Sequence, residues 1–381
     1  MSRQAQGRAP RAALALSLLL CAAAACAGEP GSVSEVRDGF AASRRIVTED
    51  GIDDRRMVEI GGIAQAITVR GRHRDAPMLL FLHGGPGFAM SPVAYRYTDA
   101  WEEYFTVVHW DQRGAGRTYA ANDAAAVTPT LSVPRMIADA EEVVAWLRRT
   151  YGRERIAVLG HSWGSVLGAE LVLRRPQWIS VYAGVGQVVD MQASEALGYR
   201  QLLEMARRRE DAGAVRELEA LAPYPGDDPA RAVEKLVAER RHLESWANGF
   251  LWRGRGNDYT ATVALSPDYT PADAKALDAG LDTSLAALWP QLLRYSLRGR
   301  TELKVPLVLL QGRHDMVTSS ALAAQWFGDV RAPSKTLVWF EDSAHMPPME
   351  EPGKLLVHLV RDVLPLARAG AAKTAEAAAA P

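Results

Sequence analysis

A serine between two glycines, set between segments of different periodicity, limits the possible folds of this chain more than any other feature. Residues 160–165 read G-H-S-W-G-S. The apolar run 156–159 before them is typical of a buried strand, and the run 166–173 after them is compatible with a helix. A G-x-S-x-G motif in a strand–turn–helix context predicts a sharp turn that holds the Ser162 hydroxyl at a helix N-terminus. A chance match in a glycine-rich chain, the alternative interpretation, would not require these flanks.

Two later strand ends supply the partners that a nucleophilic serine needs, a base and an orienting acid. The run 305–310 is typical of a buried parallel strand and is followed by Asp315. The run 336–340 is typical of another strand and is followed by His345. Functional residues of open α/β sheets lie beyond the carboxyl ends of the strands. We therefore predict that His345 takes the Ser162 proton and that Asp315 orients the imidazole.

Neighbouring residues compete for both positions. His314 is a rival for the base, but it adjoins Asp315, which fits the acid position, and the two side chains cannot point the same way. Asp342 is a rival for the acid, but it lies too close in sequence to His345 for the usual layout. The predicted order along the chain is serine, then acid, then histidine. This is the order that accompanies a nucleophilic serine in a strand–turn–helix G-x-S-x-G motif.

A glycine-rich loop after an early strand completes the predicted site. Residues 83–87 read H-G-G-P-G and follow the apolar run 78–82. Acyl transfer passes through an oxyanion that requires preorganised N–H donors. The backbone N–H of Trp163 is the first predicted donor, and that of Gly85 is the second. A plain Gly-Pro turn is the alternative. His83 has a structural hydrogen-bonding role in this interpretation, because the base is already assigned.

Three motifs together resemble one known family, the prolyl aminopeptidase (proline iminopeptidase) family of α/β-hydrolases. The motifs are H-G-G-P-G at 83–87, D-Q-R-G-A-G-R at 111–117 and S-W-G-S at 162–165. The likeness is dense from about residue 78 to 176 and returns from 305 to about 364. His161 differs from the glycine that the family usually has at this position, and Ala344 stands where a glycine usually precedes the histidine.

The resemblance implies a fold, a reaction and a substrate contact. The fold is the α/β-hydrolase fold, with a mostly parallel central sheet, helices on both faces and an inserted helical cap. The reaction is the serine-dependent release of N-terminal residues from small peptides through an acyl-enzyme. The family holds the free amino group of the substrate in an acidic pocket of the cap. Glu195 is the residue of this chain that resembles one of those glutamates, and it is the predicted substrate-binding residue.

Other functions stay open on the same residues. A carboxylesterase or lactonase would use the same triad, and an acidic anchor for a free amine distinguishes the peptidase from it. A lidded ligand-binding protein without turnover is a further hypothesis, against which the intact serine, acid, histidine and oxyanion loop argue. An epoxide hydrolase is disfavoured, because that chemistry uses a carboxylate nucleophile and position 162 is serine.

The pattern of elements divides the chain into a core and an insertion. Strands that alternate with helical segments predict one mostly parallel sheet, and residues 133–151 read as an amphipathic helix with proline in its first turn. The pattern then turns helical until about residue 300. The predicted divisions are a signal peptide at 1–27, a first core part at 45–187, a helical cap at 188–300, a second core part at 301–368 and a disordered tail at 369–381.

The first residues resemble a secretory signal. Arg3, Arg8 and Arg11 precede an apolar run that passes into small residues near Ala27. Cleavage after Ala27 is one expected outcome, and lipidation of Cys26, as in bacterial lipoproteins, is the other. We therefore expect an exported protein that is periplasmic, extracellular or lipid-anchored to a bacterial membrane.

Composition excludes several classes of partner. The chain has 44 Lys and Arg against 45 Asp and Glu, with a formal net charge of −1, so no basic field would hold nucleic acid. Both cysteines, Cys21 and Cys26, lie in the leader, which predicts a mature domain without an intramolecular disulfide or a thiolate metal site. We expect no metal and no other cofactor. The expected partner is a small-molecule or short-peptide substrate, with membrane attachment only through a lipidated Cys26.

Overall fold

Eight strands form one sheet in the computed structural model, which describes residues 32–253 and 259–370. The strands are β1 (Ile52–Ile60), β2 (Ile63–Gly71), β3 (Met78–Leu82), β4 (Thr106–Trp110), β5 (Ile156–His161), β6 (Ile179–Val185), β7 (Leu307–Gly312) and β8 (Lys335–Phe340). Their order in the sheet is β1-β2-β4-β3-β5-β6-β7-β8. β2 pairs antiparallel with β1 and β4, and all the other pairs are parallel. The predicted mostly parallel sheet is confirmed.

Strand β3 is apolar throughout because the sheet is buried on both faces. In β3, Leu80 and Leu82 belong to one hydrophobic core, whereas Leu79 and Phe81 belong to the other. Side chains of a strand alternate between faces, so a strand covered on both sides needs apolar residues at every position. This arrangement leaves the polar functional groups at the carboxyl ends of the strands.

Helices cover both faces of the sheet and fill its long connections. They are α1 (Val33–Ser43), α2 (Ala94–Tyr97), α3 (Gly116–Ala120), α4 (Ala124–Val127), α5 (Val133–Tyr151), α6 (Trp163–Arg174), α7 (Met191–Arg208), α8 (Ala212–Glu219), α9 (Ala232–His242), α10 (Tyr259–Ala264), α11 (Pro271–Leu292), α12 (Ser320–Asp329), α13 (Pro347–Glu350) and α14 (Pro352–His358). α7 to α11 occupy the connection between β6 and β7, which is the segment predicted as a cap. Helix α5 has its predicted bounds, because Ser132 caps its N-terminus and Gly152, at φ 63°, ends it.

Several predicted boundaries differ from the structure. The strand predicted to begin at residue 305 begins at Leu307, after a proline that has no N–H for a sheet hydrogen bond. The tail predicted to be disordered from 369 is helical as far as Gly370, where a Cβ would lie 2.6 Å from the Cβ of Ser180. Close packing against the sheet therefore orders the first two residues of that segment. Residues 371–381 lie outside the described residues.

The predicted leader, with Ala27 and the candidate lipidation site Cys26, also lies outside the described residues. Helix α1, which the sequence pattern did not reveal, is the first described element. Its N-terminus carries a capping box between Ser32 and Glu35. Within the described ranges, no helix combines the length and the apolar character needed to cross a membrane.

Candidate active site

Ser162 lies on a sharp turn between β5 and α6, in the strand–turn–helix context that the motif predicted. Its backbone has φ 54° and ψ −122°, a conformation that non-glycine residues rarely adopt. The flanking glycines are required by close packing. A Cβ on Gly164 would lie 2.0 Å from the carbonyl oxygen of Leu82, and one on Gly160 would lie 2.5 Å from that of Gly164. The turn is therefore fixed by the backbone of the neighbouring strand.

The structure brings Ser162, His345 and Asp315 into one hydrogen-bonded chain. The Ser162 Oγ lies 2.9 Å from Nε2 of His345. Nδ1 of His345 lies 2.9 Å from Oδ2 of Asp315. The carboxylate fixes the tautomer, since it requires a proton on Nδ1 and leaves Nε2 free to accept the hydroxyl proton. All three side chains are buried.

Asp315 is held as an ionised acid by its surroundings. Burial alone would raise its pKa, but the adjacent His345 and the hydrogen bonds from Thr318 outweigh burial and lower it. Its Oδ1 accepts from the backbone N–H of Val317 at 2.8 Å and of Thr318 at 2.9 Å. The Thr318 hydroxyl donates to Oδ2 at 2.8 Å. The acid is therefore fixed in charge and in orientation.

The rival residues of the sequence analysis face elsewhere. The ring of His314 stacks on Trp252, and its Nε2 lies 3.0 Å from the Glu341 carbonyl oxygen at the surface. The Asp342 side chain is 67% exposed and pairs with Arg253. His314 is adjacent to Asp315 in the sequence and Asp342 is three residues before His345, but both side chains point away from the triad.

The two predicted oxyanion donors border the same cavity. Gly85 and Trp163 both line the space beside Ser162. That the N–H groups of these two residues form an oxyanion hole stays a prediction.

Gln112 joins the two oxyanion elements, a role that sequence reasoning missed. Its Oε1 accepts from the Trp163 indole N–H at 2.9 Å, and its Nε2 donates to the His83 carbonyl at 3.1 Å. Its backbone N–H donates to His83 Nε2 at 3.2 Å, so that Nδ1–H of this ring donates to the Gly84 carbonyl at 2.9 Å. Burial lowers the pKa of His83, which keeps the ring neutral. The D-Q-R-G motif was the available signal.

The other polar residues of that motif brace the surrounding loops. The Asp111 carboxylate accepts from the Ser91 and Tyr269 hydroxyls and from the Arg117 backbone N–H. It links the core to the connection between α10 and α11. Its oxygens are thus committed to structure rather than to the cavity.

His161 occupies the position after β5 where the resembled family usually has glycine. Its Nε2–H donates to the His345 carbonyl at 2.9 Å, and the two ring centroids lie 5.1 Å apart. Burial, and to a smaller extent the neighbouring His345, lower the pKa of His161 to about 3. A neutral His161 therefore supports the backbone of the base.

A cavity of about 330 Å³ opens beside the Ser162 hydroxyl. The core contributes the triad face, and the cap contributes most of the opposite wall. Aromatic and aliphatic side chains dominate the lining, which is usual for small-molecule sites. The Phe, Tyr and Trp side chains among them are Phe88, Trp163, Phe250, Tyr259 and Trp289.

Glu195, the predicted substrate-binding residue, does not line this cavity, so the structure does not bring it together with Ser162. The side chain is 1% exposed. Its two oxygens accept from the Tyr224 hydroxyl and from the Arg240 guanidinium. Both oxygens are therefore committed within the cap, because helix α7 turns this residue towards α9 rather than towards Ser162.

The cap presents instead Arg240 and Glu244, both of which line the cavity. We call Glu195, Glu239, Glu244 and Arg240 the cap charge cluster. Burial alone would lower the pKa of Arg240, but the neighbouring Glu195 and Glu239 raise it well above its usual value. Burial raises the pKa of Glu244, against the opposing effect of Arg240. Two carboxylates, Glu195 and Glu239, thus pair with one guanidinium, and the third, Glu244, lies close enough to feel its charge at the cap side of the cavity.

The described residues, 32–253 and 259–370, contain no group of three or more His, Cys, Asp or Glu side chains arranged to hold a metal ion. The expectation that the protein needs no cofactor stays a prediction.

Comparisons with known proteins agree with this geometry. The family model described as alpha/beta hydrolase fold matches residues 77–352. A Bacillus subtilis protein described as the probable aminopeptidase YbaC is 30% identical over 299 residues, which are 78% of this chain and 92% of that protein. The proline iminopeptidase of Neisseria gonorrhoeae is 24% identical over 328 residues, which are 81% of this chain and 95% of that protein.

A solved structure gives the same result for the fold. The proline iminopeptidase-related protein of Thermus thermophilus superposes with a TM-score of 0.58 at 22% identity, over 84% of this chain and 98% of that one. At this identity the likeness concerns the fold alone. Together with the sequence matches, it confirms the family resemblance that the motifs predicted.

Proposed function

Because the chain belongs to the α/β-hydrolase fold family, we propose that this hydrolase is an exported serine hydrolase with Ser162 as nucleophile, His345 as base and Asp315 as orienting acid. The observation that carries the proposal is the chain of two 2.9 Å contacts from Ser162 Oγ through His345 to Asp315. The Ser162 end of this chain of contacts lies in a cavity large enough for a small substrate. Geometry of this kind supports nucleophilic catalysis.

The reaction follows from the positions of the groups. The Ser162 oxygen attacks the substrate carbonyl while His345 Nε2 takes its proton. The N–H groups of Gly85 and Trp163 stabilise the resulting oxyanion. His345 then gives the proton to the leaving group, which leaves an acyl-enzyme. Water, deprotonated by the same imidazole, hydrolyses the acyl-enzyme and restores Ser162.

We assign the substrate as a short peptide or aminoacyl amide with a free N-terminus and an apolar first residue. The apolar lining of the cavity favours an apolar side chain on the first residue of the substrate. The surplus of carboxylates in the cap charge cluster favours an ammonium group, with Glu244 as the carboxylate that reaches the cavity wall. The names of the relatives, a probable aminopeptidase and a proline iminopeptidase, support the same reaction.

An ester or lactone substrate is the second candidate, and the cavity lining favours it. Most of the cavity wall carries no hydrogen-bonding group. A neutral acyl chain would fill that wall without using the cap charge cluster. A lidded ligand-binding protein without turnover is the third hypothesis, and the strained serine held beside His345 argues against it.

A panel of chromogenic substrates separates these functions. The panel contains aminoacyl amides with free and with acetylated amines, and short-chain acyl esters. We expect wild type to prefer free aminoacyl amides and Ser162→Ala to be inactive on every member. A preference for neutral esters would select the esterase or lactonase. Binding of apolar ligands without turnover of any substrate would select the binding protein.

Export rests on the sequence of residues 1–27 and needs its own test. Cells that produce the full chain are fractionated after labelling with a palmitate analogue. Label on the wild type that Cys26→Ala abolishes would assign lipidation, with recovery in the membrane fraction. A soluble exported protein that begins at residue 28 would assign cleavage after Ala27. Retention of the intact leader in the cytosol would contradict export.

A further inference from the structure

A segment of the cap, residues 249–253, lies directly against the loops that carry the acid and the base. The backbone N–H of Met316, next to the acid, donates to the Gly249 carbonyl at 3.2 Å. The backbone N–H of His345 donates to the Phe250 carbonyl at 3.0 Å. The cap thus contacts the main chain of both loops, in addition to lining the cavity.

A stacked pair of rings reinforces this contact. The Trp252 and His314 rings are 3.4 Å apart between centroids and 9° from parallel. His314 immediately precedes Asp315 in the sequence. The stack therefore fixes the loop of the acid against the same segment 249–253 whose backbone holds the base.

Glu350 also connects cap segment 249–253 to the His345 loop, through its side chain. The residue is 7% exposed. Its Oε2 accepts from the Ala344 backbone N–H at 2.8 Å, and its Oε1 accepts from the Arg253 backbone N–H at 3.0 Å. One carboxylate thus bridges the residue before His345 and the end of the cap segment.

A carboxylate suits this position better than any neutral side chain of the same shape. Burial raises the pKa of Glu350, whereas the N–H groups of Arg253 and Ala344 favour its charged form. Its two oxygens face backbone N–H donors of both the cap segment and the His345 loop. An amide has one oxygen and one NH₂ group, so it would place a donor against one of the backbone N–H groups.

We propose that Glu350 is a positioning residue that ties cap segment 249–253 to the His345 loop and so keeps the imidazole in line with Ser162. This inference rests on the proposed function, in which His345 is the base. A misplacement of about 1 Å at a reacting group costs on the order of 10²-fold in rate. If one of the two bridging hydrogen bonds of Glu350 is removed, the hydrogen bond from His345 to the Phe250 carbonyl remains. We therefore expect the rate to fall by less than about 10²-fold.

Glu350→Gln tests the bridge, with Glu351→Gln as its matched control. The control makes the same chemical change one residue away, where Glu351 accepts from the Ser343 hydroxyl but does not bond the cap segment. We expect Glu350→Gln to lower kcat about 10-fold with KM changed less than twofold, because the base is displaced and the cavity is not. We expect Glu351→Gln to stay within twofold of wild type.

The rate at which a fluorophosphonate modifies Ser162 gives a second reading, because it depends on the same base and does not need the contact proposed for the substrate ammonium. We expect it to fall in parallel with kcat in Glu350→Gln and to recover partly in Glu350→Asp. Trp252→Ala weakens the same connection from the cap side, so the double variant should lose less than the product of the two single losses.

The outcomes separate the two proposals. Wild-type kcat and phosphonylation rate in a folded Glu350→Gln would overturn the positioning role and leave the triad intact. Equal losses in Glu350→Gln and Glu351→Gln, matched by equal falls in Tm, would also overturn it. Full activity of Ser162→Ala would instead overturn the proposed function.

Discussion

The sheet edge and the cap contribute opposite walls of one cavity, and their polar groups are satisfied in different ways. At the sheet edge each group has its own partner, as in the chain from Ser162 through His345 to Asp315. In the cap, one guanidinium, Arg240, pairs with two carboxylates, Glu195 and Glu239, while the charge of Arg240 also acts on a third, Glu244. The first arrangement has fixed protons and fixed geometry, which suits chemistry. The second has a surplus of negative charge, which suits the selection of a charged substrate.

This difference predicts that variants of the two regions fail differently. Changes at the sheet edge should lower kcat for every substrate, whereas changes in the cap should alter preference among substrates or the pH dependence of stability. The four experiments below test that separation, from the largest expected effect to the smallest.

Ser162→Ala removes the nucleophile and should have the largest effect. We expect kcat to fall on the order of 10³–10⁶-fold for amides and esters alike, because the triad acts as a unit. Only one oxygen atom is lost, so Tm should be close to that of wild type. Steady-state kinetics and peptide mapping after fluorophosphonate labelling measure the result. Label on any other residue would redirect the assignment of the nucleophile.

Gln112→Ala tests whether the sheet edge depends on the bridge between the oxyanion elements. The variant leaves the Trp163 indole N–H and the His83 carbonyl without their partner, so we expect about 1–3 kcal/mol of lost stability. The oxyanion donors lose their support as well, and we expect kcat to fall on the order of 10²-fold.

Gln65→Ala is the matched control for the Gln112 variant. Gln65 is also fully buried and also accepts from an indole N–H, that of Trp110, at 2.8 Å. It lies away from the cavity, so the variant should lose similar stability and keep its kcat. Equal losses of kcat in both variants would show that Gln112 acts through folding alone.

Glu244→Gln tests the cap as a selector of charge. If Glu244 receives the substrate ammonium, kcat/KM for free aminoacyl amides should fall about 10-fold, near the lower end for a charge-assisted hydrogen bond. The value for acetylated amides and neutral esters should stay within twofold. The ratio of the two values, measured on the same panel, is the informative quantity.

Glu195→Gln is the companion to this experiment. Glu195 is buried against Arg240 and Tyr224, so we expect a lower Tm and an unchanged ratio of free to blocked substrates. The opposite pattern, with the ratio altered by Glu195→Gln and unaffected by Glu244→Gln, would restore the sequence-based assignment of the anchor.

The same comparison explains which parts were predictable. Ser162, Asp315 and His345 follow strands whose apolar runs are visible in the sequence, and parallel strands bring their carboxyl ends to one edge. The cap offers no such rule. Whether Glu195 or Glu244 reaches the cavity depends on how α7 packs against α9, which is set by contacts between distant residues. Gln112 was missed for a similar reason, since its two partners lie far apart in the sequence, His83 after β3 and Trp163 at the start of α6.

The smallest expected effect concerns Glu239, which tests whether the cap charge cluster really shares one guanidinium. Burial, opposed by Arg240 and reinforced by Glu195, raises the pKa of Glu239 from 4.5 to about 7. The folded protein therefore holds a proton that the unfolded chain releases between about pH 4.5 and 7. The resulting contribution to stability is present at low pH and is lost as the pH rises through that window.

The side chain introduced by Glu239→Gln is neutral at every pH, so the variant should lack this contribution to the pH dependence of the free energy of unfolding. We expect its free energy of unfolding to fall less than that of wild type between about pH 4.5 and 7, in urea titrations at several pH values. Glu234→Gln, on the exposed side of the same helix α9, should keep the wild-type slope, because its carboxylate is solvated in both states. Parallel curves for wild type and Glu239→Gln would mean that Glu239 is ionised throughout this range. The cluster would then carry its full negative charge at neutral pH, and the cap would attract a substrate ammonium even more strongly than the raised pKa of Glu239 implies.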